Sequence, residues 1–182
     1  MLGVICCKDL SRWSFISVIN AAAKSNRPGK AQIALQILRR MQEVALRPPT
    51  VTYNNVLNAC AFATHPDDLP EEILDIAEVV FEEAKETCGP NYITYGAYLR
   101  VISRFVKDGT KKRDLVTDIF RQCCKAGQLN KKVMRQIRHC LTAAQYASIK
   151  NEATTPDGEF KPEYTVNARI AKMDPYKKRV AE

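Results

Sequence analysis

The side chains with the clearest chemical consequence in this sequence are cations. Ten lysines and arginines fall between Lys107 and Arg138: Lys107, Lys111, Lys112, Arg113, Arg121 and Lys125, then Lys131, Lys132, Arg135 and Arg138. Placed on a helix, Lys131, Arg135 and Arg138 share one face, and Val133, Ile137 and Leu141 share the opposite one. An ordinary solvated helix face explains any one of these residues. The stripe as a whole is an electrostatic footprint for phosphate groups, with Lys131, Lys132, Arg135 and Arg138 as the expected contacts. The asymmetry runs along the whole chain: residues 1–91 hold 9 Lys or Arg against 11 Asp or Glu, residues 92–182 hold 19 against 9, and the sum is +8.

Other reactive groups do not assemble into a catalytic pattern. The carboxylates Asp67, Asp68, Glu71 and Glu72 have the composition of a metal site. A helix start explains them with fewer assumptions: Asp68 as cap with Glu71 three residues on, Pro70 in the first turn, and negative charge against the helix macrodipole. Seven cysteines contain no C-x-x-C pair, and His65 and His139 do not complete a zinc set. Cys60, Cys123 and Cys140 fall on or beside apolar helical stripes, where free thiols act as small hydrophobes, and a reducing intracellular compartment is favoured. No nucleophile elbow, phosphate loop or Gly-rich dinucleotide turn is present. No catalytic residue, metal or cofactor is expected.

The elements that must carry the cations are helices, and they repeat. FISVINAAA (from Phe15), TYNNVLNACA (from Thr52) and TYGAYLRVIS (from Thr94) place an aromatic residue and then small or apolar residues at matching offsets. Each is followed by a second apolar stripe built on Leu38, Phe81 or Phe120. From Leu38 to Tyr53 is 15 residues and from Phe81 to Tyr95 is 14, whereas the spacings inside the units vary from 23 to 28. Insertions therefore gather at the turn within each unit, and the constant edge is the expected working surface. Turn residues in SNRPGK, THPDDLPEE and KDGT support the same cuts. With 46% hydrophobic residues in 182, the chain can bury one continuous core.

This pattern resembles the pentatricopeptide repeat family of RNA-binding helical repeats. Ala34, Leu35, Ile37, Leu38 and Met41, closed by Arg47 and Pro48, resemble the second helix of that motif, and Val51, Thr52, Tyr53 and Asn54 resemble its opening. The resemblance spans roughly Arg12 to Asn130, in units of 38 to 42 residues between corresponding aromatics, against about 35 in the family. It implies an all-α fold, a short right-handed α-solenoid of helix-turn-helix repeats. It also implies single-stranded RNA as the partner, read one base per unit by two or three side chains, with further proteins of an RNA-processing complex as possible company. The pairs implied to discriminate bases are Ile16 with Pro49, Asn54 with Asn91, and Gly96 with Asn130. Only Asn54 with Asn91 offers two side chains able to hydrogen-bond a base edge. Val51 and Ile93 fall where the family sandwiches a base between apolar side chains. Tyr53 and Tyr95 read as core. A helical protein-interaction scaffold is the competing reading, since stacked helix pairs also make concave surfaces for peptides.

The expected organisation is an N-terminal remnant or cap at 1–11, helix pairs at 12–49, 50–91 and 92–130, a capping or degenerate repeat helix at 131–149, and an extended tail at 150–182. The tail's last basic cluster, Lys177, Lys178 and Arg179, adds non-specific attraction. MLGVICC is too short for a signal core, and no run of about 18 apolar residues exists for a membrane span. The family resemblance implies a mitochondrion or chloroplast, yet no transit peptide is visible. Either the start is not native or the chain is a piece of something longer.

Overall fold

The computed structural model describes residues 11–170. Residues 1–10, the last basic cluster, and Cys6 and Cys7 lie outside that range. Two compact units divide between Pro90 and Asn91, and among the described residues there is no strand, only an isolated bridge.

The first unit holds α1 (Arg12–Lys24), α2 (Lys30–Glu43), α3 (Thr50–Ala61) and α4 (Pro70–Thr87). Helix α3 packs against both members of the first pair, and α4 closes on α3 and α2. The aromatic and aliphatic residues named above supply the core: Leu38, Met41, Tyr53, Leu57, Ile73 and Phe81 are fully buried. Fully burying one such side chain contributes about 1.5–3 kcal/mol, so these helices are held by packing rather than by intrinsic propensity. One polar cluster crosses the core's edge. Glu83 accepts from Arg39 at 2.5 Å, from the amide of Gln42 and from the hydroxyl of Tyr53 at 3.1 Å, tying α4 to α2 and α3.

Asp68 does not cap α4, contrary to the sequence reading. The cap position is Leu69, without a side-chain bond, and Pro70 is the first helical residue. Asp68 instead accepts from the backbone N–H of Gly29 at 2.8 Å and of His65 at 3.2 Å, so the long turn before α4 is pinned to the start of α2. Gly29 has a φ of 67°, which suits glycine and lets its N–H face the carboxylate.

The second unit holds α5 (Tyr92–Phe105), α6 (Gly109–Lys125), α7 (Lys131–Cys140), α8 (Ala143–Ala153) and α9 (Pro162–Ile170). Helix α7 lies along α5 as α3 lies along α1, and its apolar face buries Val133, Met134 and Ile137. Two expectations are corrected here. Residues 131–149 are not one helix: the chain breaks at Leu141, and Thr142 opens α8 with a capping box to Gln145. The segment expected to be extended from residue 150 is largely folded up to the end of the described range, as the last turn of α8, a short hairpin and α9.

Helix α9 docks on the turn between α6 and α7 through main-chain bonds and through the Asn167 side-chain amide, which donates to Ala126 O at 2.8 Å. The N–H of Leu129 donates to Tyr164 O at 2.8 Å, and the N–H groups of Asn167 and Ala168 both donate to Gly127 O at 2.9 Å.

Candidate nucleic-acid interface

The first helix of each pair repeats one register, counted from its cap. Ser11, Pro49, Asn91 and Asn130 are the caps of α1, α3, α5 and α7. Four residues beyond each cap stands a buried anchor, Phe15, Tyr53, Tyr95 or Met134. Two residues beyond stands an outward residue, Trp13, Val51, Ile93 or Lys132, and the first three are 59%, 42% and 43% exposed. Five residues beyond stand Ile16, Asn54, Gly96 and Arg135.

Helix α7 is thus a further opening helix in the same register, where the sequence indicates a capping or degenerate repeat helix. The signal was there: Phe120 to Met134 is 14 residues, the same as Phe81 to Tyr95. Methionine in place of the aromatic concealed it. Two of the expected phosphate contacts, Lys132 and Arg135, consequently occupy the positions that Val51 and Asn54 hold in α3.

The expected base-reading residues have distinct settings. Val51 and Ile93 are exposed apolar surface on the first turns of α3 and α5, as a wedge against a base requires. Asn54 is 5% exposed, so little of its side chain is open to a base in this conformation. The side-chain oxygen of Asn91 accepts from the backbone of Ile93 at 2.9 Å and of Thr94 at 3.1 Å, and Thr94 answers with its own hydroxyl to the N–H of Asn91. Asn130 accepts from Lys132 N at 2.9 Å and Val133 N at 3.0 Å. Both amides therefore cap helices, a role worth about 1 kcal/mol that the sequence reading did not assign them. Their acceptor atoms are spent on the backbone, and a contact from either to a base would come from its N–H side.

The cations occupy exposed positions of α7. Lys131, Lys132, Arg135 and Arg138 are all exposed, and none joins a salt bridge among the described residues. In the first unit, by contrast, Arg39, Arg40 and Lys85 each pair with a glutamate. The ammonium of Lys132 lies 5.6 Å from the centre of the Tyr92 ring, close enough for a cation–π contact. Arg100, which the sequence reading passed over, comes from α5 to face Arg135. Burial, and then repulsion from Arg135, lower its guanidinium pKa from the usual range. Two like charges brought together on neighbouring helices raise the local positive potential.

Gly96 leaves room beside α7. A Cβ built there would meet only the Gln136 side chain, at an ordinary 3.9 Å.

Residues 11–61 match the family model for the pentatricopeptide repeat domain. A pentatricopeptide repeat-containing protein of Arabidopsis thaliana is 34% identical over 86 residues, a stretch that is 47% of this chain and 14% of that protein's length. Residues 11–61 are therefore similar to a pentatricopeptide repeat, and the chain spans about one seventh of that relative's length. No solved structure matches the chain. The pentatricopeptide model ends with α3, so Val51 and Asn54 lie inside the match, while Asn91, Ile93, Asn130 and the basic helix lie beyond it. Among the described residues no cluster of His, Cys, Asp and Glu could hold a metal ion, and no helix is long and apolar enough to cross a membrane.

Proposed function

We propose that this chain binds single-stranded RNA through the first-helix edges of its repeats, in RNA processing, stability or translation within a mitochondrion or chloroplast. The observation that carries the reading is the position of the cations. Lys132 and Arg135 stand in the register that the matched repeat uses for Val51 and Asn54, so the same helix edge that offers apolar and amide contacts in α3 offers charge in α7. Lys131, Lys132, Arg135 and Arg138 hold the phosphates. Val51 and Ile93 wedge against bases, and Asn54, with Asn91 and Asn130, reads their edges. The organellar setting rests on the family resemblance.

Affinity is then mostly electrostatic. For a single strand, log affinity falls by about 0.7 per log unit of salt for each phosphate neutralised, so engagement of all four cations gives a slope near −3. Filter binding of oligouridine and oligocytidine across salt concentrations measures it. Arg135→Ala should weaken every sequence alike and flatten the slope by about 0.7, whereas Asn54→Ala should reduce pyrimidine preference more than total affinity. Equal effects from the two substitutions would contradict this division of roles.

A protein-interaction scaffold is the second reading, and the first helix pair favours it. Trp13 and Val18 are exposed there, and a groove lined by Phe15, Val18 and Ile37 runs between α1 and α2. Oligonucleotides that fail to bind even at low salt would leave this reading standing.

A further inference from the structure

The segment after α8 builds a structure that the repeat plan does not require. Thr154 bridges to Phe160, with the N–H of Thr155 donating to Glu159 O at 2.8 Å, and α9 then settles on the α6–α7 turn. Between this added layer and the first turns of α5 and α7 lies a cavity of about 350 Å³. Leu129 and Ala168 form its apolar floor, both buried. Two half-buried aromatic rings line it from different elements, Tyr92 at the start of α5 and Phe160 at the end of the hairpin. Thr165 is buried in the wall, and its hydroxyl donates to Pro162 O at 3.2 Å, so what it offers a ligand is an acceptor. At the mouth stand Lys131 and Lys132, against a single lining carboxylate, Glu159.

We propose that this cavity is a nucleotide site, taking either a free mononucleotide or the terminal nucleotide of an RNA strand. The volume sits at the small end of ligand sites, which begin near 300 Å³. An apolar floor with two aromatic rings suits a flat heterocycle better than a sugar or a peptide, because any base presents a π-face for stacking. The Thr165 acceptor suits an exocyclic amino group, which adenine, cytosine and guanine carry and uracil lacks. Two ammonium groups against one carboxylate suit a phosphate at the mouth. The Asn130 side chain already caps α7, so the lysines and not the helix end supply the charge. The site is made by residues beyond the matched repeat and shares Lys131 and Lys132 with the proposed strand contacts, while its aromatic and apolar lining belongs to it alone.

The full chain is titrated calorimetrically with AMP, CMP, adenosine and inorganic phosphate. AMP and CMP should bind, Phe160→Ala should weaken them by about tenfold or more, and Lys132→Gln should weaken AMP while leaving adenosine unchanged. Should Phe160→Ala lose its cooperative melt, Tyr92→Leu carries the same test. The source follows from linear and circular oligoadenylates: binding that requires a free end assigns the site to a strand terminus, and AMP binding without that requirement assigns it to free nucleotide. The proposal is overturned if inorganic phosphate binds as tightly as AMP or if Phe160→Ala and Tyr92→Leu leave AMP affinity unchanged. It is also overturned if AMP and CMP give no binding while linear and circular strands bind alike.

Discussion

Gly127 shows how much one residue can decide. Its φ of 66° belongs to the left-handed region, and a Cβ there would fall 2.7 Å from a methyl of Val166 and 3.3 Å from the backbone of Asn167. The left-handed conformation alone costs an alanine about 1–2 kcal/mol; the collision with α9 adds to it. Gly127→Ala should therefore lower unfolding free energy by about 2–3 kcal/mol, read from denaturant midpoints. Gly89→Ala provides the comparison: it shares the left-handed φ, but its Cβ would meet nothing within 4 Å, so only the conformational part is lost. At this scale the sequence was informative about burial and poor about caps. Tyr53 and Tyr95 are core, as their spacing indicated. Asn91 and Asn130 are helix caps as well as candidate readers, and the sequence reading gave them only the second role. An asparagine that precedes a helix satisfies the helix's own first N–H groups before it can meet a ligand.

Among elements, α4 is held by charge as well as by apolar contact. Glu83 collects donors from α2 and α3, and the hydroxyl of Thr87 reaches Tyr53 at 3.1 Å to extend the cluster. Hydrogen bonds to a charged, partly buried group contribute about 1.5–3 kcal/mol. Glu83→Ala should cost about 2 kcal/mol in chemical denaturation while leaving helix content below the transition unchanged. A double-mutant cycle with Arg39→Ala would separate the ion pair from the Tyr53 bond. Helices with a clear three- and four-residue apolar rhythm were legible in sequence, because burial enforces that rhythm. Helices α8 and α9 were not: Ile149 and Ala153 are the only buried residues of α8, and the prolines flanking the hairpin look like breaks. Pro162 is instead the first residue of α9, a place where a missing N–H costs nothing.

For the molecule as a whole, the thiols set an alkaline limit. Burial pushes Cys60 and Cys124 up to about 12 and Cys140 to about 11, against an ordinary thiol value near 9. Burial raises the Tyr53 and Tyr95 hydroxyls as well. Above about pH 9 the unfolded chain releases these thiol protons while the folded chain keeps them, so unfolding binds fewer protons and stability falls with rising pH. Urea midpoints should be level from pH 7 to 8 and drop clearly by pH 10; a rise over that range would contradict the buried, protonated state. The same burial should shield Cys60 from alkylation in the native chain until denaturant is added. The fastening of α9 carries a different kind of consequence. Leu129, Asn167 and Ala168 each donate a main-chain N–H across it, Asn167 adds its side-chain amide to Ala126 O at 2.8 Å, and Gly127 leaves the space for that approach. A proline at Leu129, Asn167 or Ala168 would remove a donor and let go of the latch, and at the exposed Asn167 it would do so without touching the apolar core.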